Sequence, residues 1–442
     1  MEDKSAVGEA QISPIYNVNE RPPLGMSIAL GIQHVLAMFV GNITPVIIIT
    51  GLLGFGIEDK TFLIQCCLVV AGIVSLVQAN PIGPVGAKLP VIMGTSFTFV
   101  PTSIAIGKQF GYAAILGASF IGGIFETVLG AFLKHLKKYF PPLVTGTVLL
   151  TIGLSLIPTG INYFAGGVGA SDFGSLSNLA LGTLVLVVVL VLNQYTKGVT
   201  SISSILIAII VGYLVAIPMG KVSFAPVAEA GWLTIPVPMK YGMSFHWSAI
   251  LAMLVCYIVT TVESVGAING ITHGGAGREA TEKEVSGGII CDGLGSTFAA
   301  LFNTLPNTTF NQNVGIIAFS GVMSRFVVTC GAVFLILAGL FPKLGAVIAV
   351  MPPSVLGGAG VVMFSMVAAT GIKMIGSQGL DQRNLLIVAV SLGLGLGLGS
   401  VPEALSQLPE SAQLIFGSSG IVVACLAALI LNIIFPQSKE GM

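Results

Sequence analysis

Three carboxylates lie inside long apolar stretches of the sequence: Glu126, Glu263 and Asp292. An ionisable group at such a position is costly in a membrane and usually faces a cavity or a partner. Glu263 stands in the segment 260–266, whose glycine permits close approach of a ligand. We therefore interpret Glu263 as a substrate or proton site. The alternative is a carboxylate that is paired or protonated within a helix bundle.

The two other acids and a histidine have less distinctive surroundings. Asp292 precedes a glycine. It is either a cap on a helix start or part of a proton relay, and the neighbouring residues do not decide between these two roles. Glu126 has no polar neighbours in the sequence, so we assign it a structural role or a place at a helix interface. His34 is interpreted as a hydrogen-bond donor between helices, with a gating role as the alternative.

The densest polar run of the chain, residues 307–315, contains four amides, two hydroxyls and a glycine. Helix contacts in a membrane need only one or two such groups. A second segment, 94–99, is also polar and rich in strand-forming residues. Non-helical backbone is tolerated at membrane depth where it is buried or lines a cavity. The two segments would suit a flat, neutral ligand with several hydrogen bonds, and four aromatic rings could stack on it or pack in the core: Phe97, Phe99, Phe310 and Phe319.

The amino-acid composition indicates which class of protein contains these groups. Of 442 residues, 54% are hydrophobic and 8% are charged, whereas a soluble domain has about 25% charged residues. This excludes a soluble enzyme, a disordered chain and a cytosolic binding module. Lys and Arg number 18, as do Asp and Glu, so no nucleic-acid partner is expected. The sequence offers no nucleophile–base pair or metal-ligand spacing, and we expect neither an enzyme nor a bound cofactor or metal.

The apolar stretches predict an all-α polytopic membrane protein with fourteen spans of about 20 residues. The third and tenth spans are interrupted by proline, glycine or polar residues, and hydropathy alone would omit them. The predicted spans are 24–48, 61–79, 89–106, 111–132, 141–158, 177–194, 200–219, 245–270, 286–302, 308–324, 326–350, 354–375, 384–399 and 412–435.

The distribution of positive charge favours the fourteen-span count. With the N-terminus in the cytoplasm, thirteen of the 18 Lys and Arg residues fall on the cytoplasmic side and five on the other. That asymmetry is typical of membrane proteins. It places Arg325 and a cluster formed by Lys134, Lys137 and Lys138 in the cytoplasm, together with both termini.

Two sequence markers recur at nearly equal offsets. A Leu-Pro pair opens the third span at 89–90 and the tenth at 305–306, which is an offset of 216. A Pro-Pro pair opens the fifth span at 141–142 and the twelfth at 352–353, an offset of 211. Span n therefore matches span n+7, and seven is odd, so the two halves have opposite orientations. Paired interrupted segments at matching positions indicate the binding site of a transporter.

The repeat divides the chain into five parts. The two halves are predicted at 24–219 and 245–435 and are joined by a linker. The remaining parts are the N-terminal tail 1–23, the linker 220–244 and the C-terminal tail 436–442.

The segment 312–321, Gln-Asn-Val-Gly-Ile-Ile-Ala-Phe-Ser-Gly, resembles the signature of the nucleobase-ascorbate transporter family, also called the nucleobase:cation symporter-2 family. That signature is Gln, Glu or Pro, then Asn-x-Gly, four variable residues, Thr, and Arg, Lys or Gly. The one departure is Ser320 in place of Thr. The resemblance covers essentially the whole chain, from Gln33-His34 through Glu263 and Asp292 to the Pro-Pro pair at 352–353.

The resemblance implies a particular architecture. Fourteen spans form two inverted repeats of seven, and the third and tenth spans each contain a short strand. A core domain comprises spans 1–4 and 8–11, and a gate domain comprises spans 5–7 and 12–14. The substrate lies between the two interrupted spans. Members of the family usually form homodimers through the gate domain.

The resemblance also implies roles for individual residues. Glu263 and Gln312 match the side chains that hydrogen-bond the purine, and Asp292 matches the acid linked to proton coupling. Asn313 matches a residue that shapes affinity and specificity, and His34 matches a histidine important for the site.

Further positions bear on substrate choice. Ser96 falls where purine carriers vary among Asn, Thr and Ser, and Phe97 beside it could provide a stacking face. Gly315 belongs to the signature itself. Val314 and Ser320 are candidate specificity positions. Gln at position 312 resembles the xanthine and uric-acid carriers of the family, whereas uracil carriers have Glu at this position.

We therefore expect a proton-coupled symporter that imports xanthine, uric acid or both across the cytoplasmic membrane by alternating access. The proton would be the coupling ion, and the purine base, membrane lipid and a second copy of the chain would be its partners. A uracil or other nucleobase carrier of the same fold is the first alternative. An anion transporter of related architecture would need a cation at the site, and a channel would show no saturable uptake.

Overall fold

A computed structural model describes residues 15–132, 141–417 and 420–436. Helices form most of this part of the chain. The predicted cytoplasmic cluster at residues 134–138 lies outside the described residues. So do residues 1–14 of the N-terminal tail and 437–442 of the C-terminal tail.

Eighteen α-helices and two strands follow one another along the described residues. Two single 3-10 turns accompany them, at Phe97–Phe99 and Pro402–Leu405. The order is α1 (Leu24–Leu52), α2 (Ile57–Ala79), β1 (Met93–Thr95), α3 (Val100–Phe110), α4 (Tyr112–Ala131), α5 (Pro142–Phe164), α6 (Leu176–Tyr195), α7 (Val199–Ile202), α8 (Ser204–Ala216), α9 (Ala225–Glu229), α10 (Trp247–Ala276), α11 (Glu282–Leu301), β2 (Asn307–Thr309), α12 (Gln312–Ser320), α13 (Arg325–Gly339), α14 (Pro342–Ala349), α15 (Pro353–Gly376), α16 (Gln382–Ser400), α17 (Glu410–Gly417) and α18 (Gly420–Ile434).

Eight of the helices in the described residues are long and apolar enough to cross a membrane, which makes this a multi-pass membrane protein. They are α1, α2, α4, α5, α6, α10, α15 and α16. The helices α13 and α14 pass the same test only as a pair. Two shorter apolar helices are α8 and α18.

The predicted continuous span 326–350 is bent in the structure. The helices α13 and α14 meet at an angle of 80°. Pro342 is the first residue of α14, where its missing N–H costs no helical hydrogen bond, but it cannot continue α13. The chain therefore turns at Phe341 and starts a new helix.

The two strands pair antiparallel, with Gly94 opposite Thr308 at the centre. Every residue of both strands is buried. The ladder is extended by Phe310 N–H, which donates to the Ile92 carbonyl at 3.0 Å, and by Ser96 N–H, which donates to the Pro306 carbonyl at 3.2 Å. A buried backbone away from water needs such partners, so the pairing permits extended chain in the middle of a helical bundle.

Side chains from neighbouring helices hold β1 in place. Ser75 Oγ, from α2, accepts a hydrogen bond from Met93 N–H at 2.8 Å. Asn42 Oδ1, from α1, accepts one from Thr95 N–H at 2.8 Å, and the Thr95 hydroxyl donates to the Asn42 carbonyl. The strand is thus fixed to two helices at opposite ends.

Glycines allow the helices around the strands to pack closely. A Cβ atom added to Gly123 of α4 would lie 2.6 Å from the carbonyl oxygen of Gly293 on α11. A Cβ added to Gly153 of α5 would lie 2.5 Å from the Ala368 nitrogen on α15. Small residues at helix interfaces are common in membranes because packing, and not hydrophobicity, holds the helices together there.

Ion pairs tie the linker 220–244 to the loop after α5 and to the first turn of α2. Lys221 Nζ lies 2.8 Å from Asp172 Oδ2, and its hydrogen bond lowers the pKa of the Asp172 carboxyl from its ordinary value. Lys240 Nζ lies 2.8 Å from Asp59 Oδ1 and also over the Phe62 ring. Both ends of the linker are therefore anchored to other parts of the chain.

Candidate functional site

Glu263 lies on α10 and is half-buried. Thr98 Oγ1 donates to its Oε2 at 3.3 Å, and Asn311 Nδ2 donates to its Oε1 at 3.4 Å. Thr98 follows β1 in the chain and Asn311 follows β2. The carboxylate thus stands where the ends of both strands meet α10, and each of its oxygens has one donor.

Two glycines, one about a helical turn after Glu263 and one about a turn after Gln312, have no protein atoms packed over them. A Cβ atom added to Gly266 of α10 or to Gly315 of α12 would meet nothing within 4 Å. Gln312 is the first residue of α12, and its exposed side chain makes no hydrogen bond to the described residues. Its amide is therefore free to bind a ligand, at the helix end where free N–H groups and the positive end of the dipole lie.

Ser96 and Phe97 form the turn that follows β1. The Ser96 hydroxyl accepts a hydrogen bond from Thr98 N–H at 3.2 Å and so caps the 3-10 turn. Phe97 is largely buried, and its ring meets that of Phe364 on α15 edge-on, with centroids 5.3 Å apart. The turn therefore contacts a helix of the second half of the chain.

The other aromatic candidates have different surroundings. Phe99 is fully buried against Tyr257, with ring centroids 4.7 Å apart. Phe310 fills the space over Gly41 and Gly94, where added Cβ atoms would both lie 2.7 Å from its ring. Both rings pack in the core. The Phe319 side chain is outside the described residues.

Asp292 lies in the middle of α11 and is completely buried. This position excludes the helix cap that the sequence left open. Gln78 Nε2 donates to its Oδ1 at 2.7 Å, the Ser264 hydroxyl donates to its Oδ2, and the Thr309 hydroxyl lies 3.4 Å from both oxygens. Ser264 follows Glu263 in α10, so the two acids are connected through adjacent residues of one helix.

His34 and Asn313 are joined to each other. Asn313 Nδ2 lies 2.9 Å from His34 Nδ1 and 3.0 Å from the His34 carbonyl oxygen. Because the amide nitrogen is a donor, Nδ1 must accept, and the ring proton belongs on Nε2. Both side chains are buried between α1 and α12. Asn313 therefore fixes the start of α12 against α1, next to Gln312.

The two candidate specificity residues lie further along α12. Val314 packs towards α10, with its Cγ1 3.1 Å from the position of a Cβ on Gly270. The Ser320 hydroxyl accepts a hydrogen bond from Val322 N–H at 3.3 Å at the end of the helix. Eight residues separate Ser320 from Gln312, which is about 12 Å along a helix. A single small ligand therefore cannot contact both Gln312 and Ser320.

Sequence reasoning assigned no role to four residues that surround the two acids: Gln78, Thr98, Thr309 and Asn311. Gln78 could have been noticed, because an amide inside an apolar span usually bonds to a neighbouring helix. The hydroxyl and amide residues of segments 94–99 and 307–315 were recognised as a group. Their individual partners depend on the strand register.

A separate cavity of about 330 Å³ lies between α1, α8 and α14. Its wall is formed by apolar side chains and Tyr213. The cavity includes none of the residues that surround Glu263 or Asp292. Its lining does not provide a set of polar groups that could bind a hydrogen-bonding ligand.

Comparison with known proteins gives relatives over almost the whole chain. The model of a permease family matches residues 25–404. The xanthine permease of Bacillus subtilis is 40% identical over 420 residues, which cover 94% of this chain and 95% of the relative. The uric acid permease PucK of the same organism is 41% identical over 93% of this chain and 95% of its own length. The xanthine permease XanP of Escherichia coli is 35% identical over 99% and 98%.

Solved structures show a similar fold at low sequence identity. The murine anion transporter Slc26a9 in its inward-facing state has a TM-score of 0.63 and 11% identity, with 94% of this chain and 69% of that one covered. The transmembrane domain of the cyanobacterial bicarbonate transporter BicA has a TM-score of 0.57 and 15% identity, with 95% and 100% covered. These likenesses concern the fold alone. From the family match and the relatives together, the chain belongs to this permease family, the nucleobase:cation symporter-2 family.

Proposed function

We propose that the protein carries purine bases, xanthine and uric acid in particular, across the cytoplasmic membrane by proton symport. One observation supports the proposal most directly: Glu263 accepts hydrogen bonds from Thr98 and Asn311, which follow the two paired strands, and the exposed amide of Gln312 comes next in the chain after Asn311. Relatives at 35–41% identity are named xanthine permease and uric acid permease. A substrate of that kind is flat and has several donors and acceptors.

The groups at the site fit the edges of such a base. The Gln312 amide provides a donor and an acceptor side by side, and the Glu263 carboxylate accepts from ring N–H groups. Thr98 and Asn311 orient Glu263, so their bonds reduce the cost of fixing it for the ligand. We assign the Phe97 ring to one face of the base, with Ser96 below it and Gly315 leaving room on α12.

Proton coupling is assigned to Asp292, with Glu263 and His34 as the other titratable groups near the site. The partners of Asp292 in the described residues are an amide and hydroxyls, with no cation among them. An ionised carboxylate without a counter-ion is costly in a dry interior. We infer that taking up a proton there changes the hydrogen bonds to α2, α10 and β2 together. Such a change would couple the proton to movement of the strands.

For the architecture, we propose fourteen spans in two inverted halves, with β1 and β2 within the third and tenth spans. Spans 1–4 and 8–11 would form a core domain that moves against a gate domain of spans 5–7 and 12–14. Two observations support this. The two strands pair with Gly94 opposite Thr308 at the centre. The Phe97 ring contacts the Phe364 ring across the expected boundary between the core domain and the gate domain. Both termini are proposed to be cytoplasmic, with a lipid-embedded homodimer as the functional unit.

The rival functions differ in what they need at the site. A uracil carrier would have Glu at position 312, by the family resemblance. An anion transporter would place a cation near the ligand, and the hydrogen bonds that Glu263 accepts from the described residues come only from a hydroxyl and an amide. A channel would conduct without saturation.

The experiment is uptake of labelled xanthine and labelled urate by a host that lacks its own purine permeases. We expect saturable uptake of at least one purine that unlabelled purines compete away and that an uncoupler abolishes. Competition by uracil in place of purines would support the pyrimidine carrier. Non-saturable uptake would contradict a carrier.

A further inference from the structure

Glu126 is a third acid within the helices, and the proposed mechanism does not use it. It lies on α4 with no exposed surface. Thr260 Oγ1 donates to its Oε1 at 2.9 Å, and Thr261 Oγ1 lies 3.4 Å from the same atom. Its other oxygen, Oε2, has no hydrogen-bond partner among the described residues. Glu126 therefore has donors on one oxygen only.

Its position relates it to both acids of the site. Thr260 and Thr261 precede Glu263 by less than one turn of α10. The helix α4 packs closely on α11 where Gly123 faces Gly293, the residue after Asp292. Thr260, which donates to Glu126, and Ser264, which donates to Asp292, are four residues apart on one face of α10, so the two carboxylates lie about one helical turn from each other.

The charged and titratable groups that face Glu126 come from two helices. Asp292 faces it from α11, and Glu263 and Tyr257 face it from α10. The cation of α3, Lys108, is exposed beside the start of α4, about 21 Å along that helix from Glu126. No positive charge among the described residues compensates the acids.

The hydrogen bonds around Asp292 and Glu126 differ in how well they stabilise an ionised carboxylate. Asp292 receives hydrogen bonds from Gln78, Ser264 and Thr309, which stabilise an ionised group. Glu126 would leave one charged oxygen buried without a donor, which costs more than leaving a neutral O–H unpaired. If both were ionised, their repulsion would be added to the cost of burying two charges.

We propose that Glu126 is a positioning residue for proton coupling that shares its proton load with Asp292, so that the pair is never fully ionised. The inference rests on the proposed proton coupling at Asp292. Repulsion between the two carboxylates then raises the pH at which the pair gives up its last proton, and that pH limits uptake on the alkaline side. The two threonine hydroxyls link that charge to the segment of α10 that carries Glu263.

The test is the pH dependence of purine uptake for wild-type protein and Glu126→Gln. The amide keeps the acceptor for Thr260 but can never carry charge. Without a second carboxylate, no repulsion holds the last proton of the pair, so the alkaline limb of the uptake profile should move to lower pH by about one unit. Glu126→Asp, which keeps the charge, should restore the limb at least in part. Glu58→Gln, at an exposed glutamate of α2, should leave the profile in place.

The midpoint of the alkaline limb is the readout because a purely structural defect lowers uptake equally at every pH. An unchanged midpoint in folded Glu126→Gln would overturn this inference and leave the proposed function standing. If wild-type uptake itself had no pH dependence, both the inference and proton coupling would fail. Should Glu126→Gln not reach the membrane, Thr260→Val decides. It keeps the acid but removes a hydrogen bond to its charged form, so the alkaline limb should move to higher pH, and an unchanged midpoint would overturn the inference.

Discussion

Gln78 on α2 and Asp292 on α11 are joined by a hydrogen bond of 2.7 Å between Nε2 and Oδ1. The same Gln78 amide donates to the Gly288 carbonyl at 2.9 Å and accepts from Ala87 N–H at 2.9 Å. One side chain therefore ties Asp292 to the chain that leads into β1. On the opposite side, Thr309 of β2 contacts the same carboxylate. A change in the protonation of Asp292 would reach both strands directly.

We predict that Asp292→Asn retains purine binding but loses accumulation against a gradient. The Asn oxygen can still accept from Gln78, and its amide can donate to the hydroxyls of Ser264 and Thr309. The site should keep its geometry, while the proton-carrying group is lost. Binding to purified protein should stay within about threefold of wild type, since no ligand contact is removed.

Asp172→Asn, at a carboxylate of an exposed loop, is the control for the loss of one acid. It should accumulate substrate as wild type does. If Asp292→Asn abolished binding as completely as transport in folded protein, the division of roles between Glu263 and Asp292 would be wrong.

Gln312→Glu should reduce xanthine uptake strongly while the protein stays in the membrane. The substitution keeps the shape but replaces the two amide donors with acceptors, so a carbonyl of the base would meet an acceptor. Leaving such a polar group unpaired costs about 1–3 kcal/mol, or roughly ten- to a hundredfold in affinity. The concentration dependence of xanthine uptake measures this loss of affinity. Unchanged uptake kinetics would show that Gln312 does not bind the substrate.

Thr98→Val should weaken substrate binding by about fivefold. The substitution removes the hydroxyl that donates to Glu263 at 3.3 Å, and one such bond contributes about 1 kcal/mol. Thr147→Val on α5 is the matched control, because the Thr147 hydroxyl is buried and bonds only within its helix, to Leu143 at 2.8 Å. Equal losses in both variants would indicate a general effect on packing.

Gly315→Ala should lower purine affinity without lowering stability. Nothing in the protein lies within 4 Å of the new methyl group, which would instead occupy the proposed ligand space. Gly397→Ala on α16 provides the same chemical change at another unobstructed helical position. Both variants should unfold at or slightly above the wild-type temperature, since Ala favours helix. The account predicts reduced binding for Gly315→Ala alone, and normal binding in both would place the ligand elsewhere.

Sequence reasoning singled out the two residues that we propose bind the substrate. Glu263 was identified because a carboxylate stands out in an apolar helix, and Gln312 because it belongs to the densest polar run. In the structure Glu263 accepts a hydrogen bond from Asn311, the residue before Gln312, and the Gln312 side chain is exposed. The polar segments 94–99 and 307–315 were recognised as non-helical candidates, and the strands at Met93–Thr95 and Asn307–Thr309 lie at these places.

Other features depend on three-dimensional contacts that sequence patterns do not reveal. The bonds from Thr98 and Asn311 to Glu263 require the register of β1 with β2. The contact between Glu126 and Thr260 requires the rotation of α4 against α10, which hydrophobic periodicity cannot supply when helices are apolar on all sides. The 80° bend before Pro342 was missed because the apolar run continues through it.

The most direct test of the central claim uses the purified protein in liposomes with an imposed pH gradient. The account predicts that labelled xanthine or urate accumulates above its external concentration when the source side is acidic. It predicts further that dissipating the gradient stops accumulation and that Asp292→Asn liposomes only equilibrate. Accumulation that ignores the gradient, or none of either purine by folded protein, would contradict proton-coupled purine transport.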